Sequence, residues 1–253
     1  MKTSILTQKS TKNTITIPTS IIPEKMNLRI RVLHAVDYPE IAQKFYEGQQ
    51  EVLEEFNVDK SAISSIKESW WENSGSYIFV VEDVVTGEIG AGMRLDVVDP
   101  THPIPLEQAL ADVEPELVTR IHKHNYILAE TCGWWVRKSF SERNLPHLLM
   151  RAAISVAEKL RIKIILGFFN QYTRKTIEVM GFRPVNNLGE NATFNYPNEK
   201  YQSTVMEFYL EELNNLPQEE VEMINWLKHH PVQKFHDEFK GRVTNFQYDL
   251  RIM

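Results

Sequence analysis

The chain has 253 residues, of which 42% are hydrophobic and 25% charged; its formal net charge is −6 and its pI about 5.8. That length fits one large domain or two small ones with a real core. The acidic balance excludes a global attraction to nucleic acid or to an anionic membrane surface, and a single cysteine, Cys132, excludes an intrachain disulfide. No run of about 18 apolar residues occurs, so no membrane-spanning helix is expected, and the first residues lack the continuous apolar segment of a secretory signal. The expected setting is the cytoplasm.

Residues 1–26, rich in Thr, Ser and Lys, read as an N-terminal arm. Within it Thr14-Ile15-Thr16-Ile17 alternates like an edge strand, limited by Pro18 and Pro23. Residues 28–33 alternate apolar and basic, as a first strand does. Asp37, with Glu40 three residues on, has the spacing of a capping box. The helix it would cap carries Ile41, Phe45, Val52, Leu53 and Phe56 on one side. A second helix is expected over 60–71.

Residues 77–82 form a short apolar run, Thr86-Gly87-Glu88 is turn material, and 89–95 resume as a strand, so the pair reads as a β-hairpin. Residues 99–125 then interrupt the pattern. They open on Pro100, Pro103 and Pro105 and continue with helical segments over 106–113 and up to 122. This connection is far longer than a hairpin needs, which points to a functional insert.

Residues 126–136 are a long strand candidate. Apolar residues at 145, 148, 149, 152, 156 and 160 set a clear helix period over 145–160. A compact strand is expected at 162–169. A helix over 171–180 should follow, stopped by Gly181 in the left-handed conformation, and then a strand at 203–210. Residues 214–253 hold a helix with Val221, Ile224, Trp226 and Leu227 and a strand at 242–250. The order implies a mixed sheet with helices on its faces. Strand 126–136 and helix 145–160 form a crossover whose loop is the natural ligand site, because a helix N-terminus concentrates unpaired N–H groups and partial positive charge.

Residues 136–150 read VRKSFSERNLPHLLM. They resemble the acyl-CoA-binding segment of the GNAT superfamily, in which a strand ending in an apolar-x-Val triplet leads through a basic, glycine-bearing loop into a helix. Trp134-Trp135-Val136 takes the triplet and residues 141–146 take the loop, without a gap. Asn170 is followed at offsets of 11 and 12 by Gly181-Phe182, the family's spacing around its last helix. The order of elements over about 28–210 also matches. The resemblance implies an α/β fold with a GNAT-like mixed, mainly antiparallel central sheet flanked by helices on both faces. It divides the chain into the arm, a GNAT-like domain over 27–213, and an extension over 214–253 packed on the domain or at an interface. It further implies acetyl-CoA or acyl-CoA as co-substrate and no metal. The donor contacts it implies are Trp134, Val136, Arg137 and Lys138 at the strand end, Ser141, Glu142, Arg143, Asn144 and Leu145 in the loop, and Asn170.

The chain departs from that pattern in places. The two loop glycines are Asn144 and Pro146 here, and proline has no N–H to offer a phosphate. Ile177 stands where many members place a tyrosine that protonates the leaving thiolate; Tyr172 is the nearby phenol. A narrower likeness lies in Gly90-Ala91-Gly92-Met93-Arg94-Leu95 followed by Ile104-Pro105-Leu106. It resembles the branch that makes N-acyl amino acids or acyl-homoserine lactones, which carries a long insert before the fourth strand and a Glu, here Glu130. That branch's Ser-Arg after the Glu is Cys132-Gly133 here. Arg94 is assigned to acceptor binding.

An amine attacking a thioester must lose a proton and needs a donor for the developing oxyanion. Glu130, within an otherwise apolar strand, is the candidate base, because burial raises a carboxyl pKa. The alternative is an ion pair with Arg94 or Lys123. The strand amides of 134–136 are the oxyanion donors, and Tyr172 is the candidate acid. Arg137, Lys138 and Arg143 put three positive charges around the loop, which favours a phosphate-bearing ligand. Cys132 reads as a nucleophile or as a small buried residue. His122 and His124 would share a strand face, but no third zinc ligand accompanies them. Trp70, Trp71, Trp134 and Trp135 read as core more than as a substrate platform. Asn170 either contacts the pantetheine arm or caps the next helix. The expected activity is N-acyl transfer from acyl-CoA to a small-molecule amine by direct attack. A long-chain synthase fed by acyl carrier protein, with 99–125 shaping an acyl groove, is one alternative, and a GNAT-like binding protein without catalysis is another. A homodimer is open; a nucleic-acid partner is not expected.

Overall fold

Alternation along the chain builds one large sheet. The computed structural model describes residues 26–66 and 69–252, so the alternation at Thr14-Ile15-Thr16-Ile17 lies outside the described residues. The strands are β1 (Met26–His34), β2 (Ser76–Asp83), β3 (Ile89–Val97), β4 (Ile127–Val136), β5 (Ile162–Asn170), β6 (Arg183–Pro184), β7 (Thr193–Asn195), β8 (Gln202–Tyr209), β9 (Val232–Phe239) and β10 (Arg242–Asp249). Their order is β6-β8-β5-β4-β3-β2-β1-β10-β9, with β7 also on β8. Only β4–β5 and β1–β10 pair in parallel; the other pairs are antiparallel.

The helices are α1 (Pro39–Glu55), α2 (Pro105–Leu110), α3 (Pro115–Lys123), α4 (Leu145–Ala157), α5 (Arg174–Val179) and α6 (Gln218–His229). They cover both faces, as the period of two in the strands requires. Phe79 and Val81 of β2 pack with α4 and α6 on one side, and Ile78 and Val80 pack with α1 on the other. The α2–α3 insert covers the α1 side farther along, where Leu106, Leu110, Leu117 and Ile121 close on Leu128, Ile164 and Val205.

Several local expectations change. Asp37 does not cap α1. It sits in a 3-10 turn and its carboxylate bonds His34 Nδ1 at 2.7 Å, while Tyr38 holds the N-cap position. The described residues of the helix expected over 60–71 do not form one helix. They hold the 3-10 turns Lys60–Ala62, Ser64–Ile66 and Trp70–Glu72, because Asp59 Oδ1 accepts from both the N–H and the hydroxyl of Ser61, and such local bonds compete with helix continuation. His122 lies on α3, not on a strand, and meets Glu107 at 2.5 Å. His229 and His230 do lie exposed at the end of α6. Strand β9 was not expected at all.

The C-terminal segment is built into the main core. Val221, Ile224 and Leu227 of α6 and Phe246, Tyr248 and Leu250 of β10 and its end join the cluster around α4. A polar clamp fixes α6 to α4. Glu220 accepts from Arg151 at 2.6 and 2.7 Å and meets His147 Nε2 at 2.9 Å, and the Tyr248 hydroxyl donates to the Leu148 carbonyl at 3.3 Å. Burial alone would push the Glu220 carboxyl up, but the hydrogen bonds from Arg151 and His147 outweigh it and hold it at about 2. A depressed carboxyl stabilises the fold above its unfolded value, and that contribution is lost as pH falls through the folded one. Glu220→Ala should therefore cost about 3–5 kcal/mol in urea unfolding at pH 7, the usual loss on breaking a buried pair. The deficit of Glu220→Gln should close between about pH 4.5 and 2, and a deficit independent of pH would contradict the clamp.

Candidate active site

The parallel pairing of β4 with β5 runs from Ile127↔Ile162 to Thr131↔Gly167 and stops. Beyond it β4 stays with β3, reaching Ala91↔Val136, and β5 stays with β8, reaching Asn170↔Ser203. The two strands therefore splay. The cause lies at Gly133. Between Gly92↔Trp135 and Arg94↔Cys132 the register shifts by one residue, so Gly133 and Trp134 both oppose Met93. Gly133 has φ +62°, the left-handed value of a glycine bulge. The bulge bends β4 away and turns Trp134 into the gap, where its Nε1 donates to Thr131 Oγ1 at 3.0 Å and its ring meets Phe169 edge-on.

A cavity of about 430 Å³ passes through this split. On one face it is walled by Pro146 of α4 and by Thr173, Thr176 and Ile177 at α5. On the other it is walled by Gln49 and Leu53 of α1, Ser64 and Ser65, and Tyr196. Glu130, Cys132 and Trp134 line it between the two ends, as do Asn170 and Tyr172.

Glu130 is 2% exposed and its Oε2 accepts from the Leu106 N–H at 2.8 Å. Burial pushes its carboxyl up to about 8, against the Leu106 hydrogen bond. No ion pair to Arg94 or Lys123 forms among the described residues. Cys132 is buried, its Sγ lies 3.5 Å from Asp96 Oδ2, and burial pushes its thiol well up, which suits a packed residue better than a nucleophile.

Arg94 does not reach the cavity. It is 1% exposed, bonds Asp96 Oδ2 through Nε and Nη2 at 2.9 Å, donates to the Ser65 carbonyl at 3.3 Å and lies over the Trp70 ring. A buried guanidinium must be paired, and Asp96, the second residue along the same strand face, takes it first. Arg94 also contacts the Ser64–Ile66 turn.

Tyr172 is 73% exposed at the cavity rim. The phenol held inside is Tyr196, which sequence reasoning missed. Its oxygen accepts from the Ser64 N–H at 2.6 Å and shares a hydrogen bond with Ser64 Oγ at 2.8 Å, and its ring lies 4.8 Å from Phe168. Burial raises its pKa against the Ser64 hydrogen bonds, so the phenol keeps its proton at neutral pH. Nothing local marks Tyr196, because its partner is 132 residues earlier. Asn170 does not cap α5, whose N-cap is Thr173; it closes the turn before that helix, with its Oδ1 accepting from the N–H groups of Tyr172 at 2.9 Å and Thr173 at 3.2 Å, and it lines the cavity.

The loop from β4 to α4 opens a second, smaller cleft of about 210 Å³ lined by Val136, Ser141, Glu142, Arg143, Asn144 and Leu145. Glu142 and Asn144 have φ of +59° and +55°, the left-handed conformation that favours glycine, and of the two only Asn144 stands at an expected glycine position. Pro146 falls in the first turn of α4, where N–H groups lack intrahelical acceptors. Phe140 anchors the loop by lying on the backbone of Gly90, where a Cβ would meet the ring at 2.1 Å. Of the three basic residues, Arg143 lines this cleft and Arg137 and Lys138 do not. Arg137 donates to the Ile89 carbonyl and pairs with Glu51, and Arg143 donates to the carbonyls of Ser139 and Ser141 at 3.2 and 3.0 Å. Lys138 is exposed and lines neither space. The insert contributes Pro105 to the main cavity, while Leu106, Leu110, Leu117 and Ile121 pack in their own core.

No protein-family model and no curated protein matches the chain. Among solved structures, it resembles FeeM, an N-acyl amino acid synthase from uncultured soil microbes, at 12% identity and TM-score 0.54, covering 76% of this chain and 96% of that one. It resembles MesI, a CoA-dependent acyl-homoserine lactone synthase, at 14% identity and TM-score 0.52, covering 79% and 95%. It resembles an acyl-CoA N-acyltransferase from Pseudomonas aeruginosa at 14% identity and TM-score 0.50, covering 71% and 98%. The fold is that of the GNAT N-acyltransferases. Among the described residues no helix is long and apolar enough to cross a membrane.

A carboxyl raised in the folded state destabilises the fold as pH rises between its unfolded and folded values, because only the unfolded chain then gives up the proton. For Glu130 that window runs from about 4.5 to 8. Glu130→Gln should thus melt like the wild type near pH 4.5 and several degrees higher at pH 8 and above; parallel melting curves across that range would show that Glu130 is not held protonated.

Proposed function

We propose that the protein is an N-acyltransferase that moves an acyl group from acyl-coenzyme A to a small-molecule amine by direct attack. One observation carries this reading. The split between β4 and β5 opens a cavity through the sheet, with a buried carboxyl inside and a helix N-terminus at one end. The donor enters from the α4–α5 side with its phosphates at the loop before α4, and the amine enters from the α1 side.

In the split the amine nitrogen forms a bond to the thioester carbon while the carbonyl electrons move onto oxygen. Past the last β4–β5 pair, the β4 amides that face β5, expected within residues 134–136, donate to that oxygen. Glu130 takes the amine proton, directly or through one water. The C–S bond then breaks, and the Tyr196 hydroxyl protonates the departing thiolate; the Ser64 N–H and hydroxyl stabilise the phenolate that results. A carboxyl poised at about 8 is a competent base toward an amine and not a permanent charge in an apolar wall. Coenzyme A as donor fits a cytoplasmic setting.

Calorimetry with acetyl-CoA and a long-chain acyl-CoA, followed by acyl transfer to a panel of primary amines, tests the reading. Binding to at least one donor is expected, together with a kcat/KM that rises with pH to a plateau above about 8. Glu130→Gln should lower kcat by about 10²–10⁴-fold, the usual contribution of a positioned base, with donor binding kept. Absence of binding to both donors would overturn the proposal, and an unchanged kcat in Glu130→Gln would remove Glu130 as its base.

A further inference from the structure

The hairpin of β9 and β10 turns over the same loop that the acyl-CoA reading assigns to the donor's phosphates. Phe239 and Arg242 are paired, and the two residues between them, Lys240 and Gly241, have φ of +51° and +76°. That is the sign pattern of a two-residue type I′ turn, which holds its flanking side chains in fixed positions. Phe239 and Lys240 line the 210 Å³ cleft together with residues of the loop. Arg242 reaches Glu142 of that loop, with Nε 3.0 Å and Nη2 2.9 Å from Oε2.

Glu142 is an obstacle to any anionic ligand in this cleft, because it lines the cleft with a negative charge and like charges repel. The loop's own arginines answer other partners: Arg137 pairs with Glu51, and Arg143 donates to two loop carbonyls. The cation that meets Glu142 comes from β10, a hundred residues later. We infer that the C-terminal hairpin is a working part of the donor site: Arg242 is a positioning residue that neutralises Glu142, and Lys240 adds a cation to the cleft, so that the loop accepts the diphosphate of coenzyme A. The inference rests on the acyl-CoA reading and adds to it a role for a segment that lies outside the resemblance first seen in the sequence.

Calorimetric titration of the full-length protein with coenzyme A tests it through binding alone. Arg242→Ala should weaken binding about fivefold, and Lys240→Ala by a smaller factor, with both losses shrinking at about 1 M salt, where the Debye length is about 3 Å. Adding Glu142→Gln to Arg242→Ala should bring the affinity back to within about twofold of Glu142→Gln alone, because the charge that needed neutralising is gone. Arg242→Lys should bind nearly as the wild type, and thermal melting should show each variant folded, since an exposed ion pair adds little to stability. Wild-type affinity in Arg242→Ala, or a loss that Glu142→Gln does not relieve, overturns the inference while leaving the acyl-CoA reading intact. A wild-type protein that does not bind coenzyme A overturns both.

Discussion

Where β4 parts from β5, a stretch of buried backbone loses its sheet partner, and the rest of the site is arranged around that break. Parallel strands deep in a sheet normally pair along their length, because an unpaired buried N–H or C=O costs as much as a lost hydrogen bond. Here the ladder ends at Thr131↔Gly167, although both strands run several residues farther. The break is held from both sides. Gly133 bulges against β3 and turns β4 one way, while β5 stays paired with β8 to Asn170 and goes the other. Trp134 and Phe169 wedge the gap with an edge-to-face contact. A residue with a Cβ at position 133 would be strained at φ +62°, so the opening depends on that one glycine more than on any side chain that lines it.

The chemistry in the gap sits on a costly arrangement of charge. Arg94, Asp96, Cys132 and Glu130 lie on neighbouring positions of β3 and β4, nearly out of contact with water. Arg94 and Asp96 satisfy each other, Ser76 donates to Asp96, and the Ser65 carbonyl accepts from Arg94. Glu130 is left with a neutral backbone donor, so burial decides its ionisation. A fully ion-paired Glu130 would be easier to bury and useless as a base; the pairing of Arg94 with Asp96 is what keeps it from that fate. The same Arg94 pins the Ser64–Ile66 turn, and Ser64 in turn holds the Tyr196 hydroxyl. One buried guanidinium thus links the carboxyl and the phenol of the cavity without touching either.

Elements and buried positions set by local pattern were readable from the sequence. The period of 145, 148, 149, 152 and 156 placed α4, the turn at Thr86-Gly87 placed the β2–β3 hairpin, and an isolated Glu among apolar residues marked Glu130. Residues whose role is set by distant partners were not. The directions taken by Arg137 and Arg143 depend on Glu51 and on the fold of their own loop, so three basic residues within 137–143 do not by themselves show where their side chains go. Tyr196 is one tyrosine among nine until Ser64 meets it. Strand β9 was invisible for a different reason: it is the last strand of the sheet, exposed and half-buried residues alternate along it, and its sequence VQKFHDEF carries charge on both faces. Edge strands are commonly kept polar in this way to discourage further pairing, and that removes the hydrophobic alternation by which strands are recognised.

The C-terminal segment shows why boundaries drawn from a motif can cut through a working unit. The motif ends near Phe182, and nothing in the sequence of 214–253 resembles it. Yet β10 lies parallel to β1 and contributes Phe246 and Tyr248 to the same core as α4, and α6 is clamped to α4 through Glu220. A parallel partner for β1 cannot come from a tight hairpin; the chain has to cross over from the far edge of the sheet, which it does through α6 on the α4 face. That crossover delivers the β9–β10 turn to the loop before α4. The hairpin therefore sits beside the loop as a consequence of completing the sheet, and Arg242, at the first position of β10, meets Glu142 because the strand begins there. Core packing and the electrostatics of the loop before α4 are then two results of one connection, and a change in either α6 or β10 would be felt at the loop through the fixed geometry of the turn between the strands.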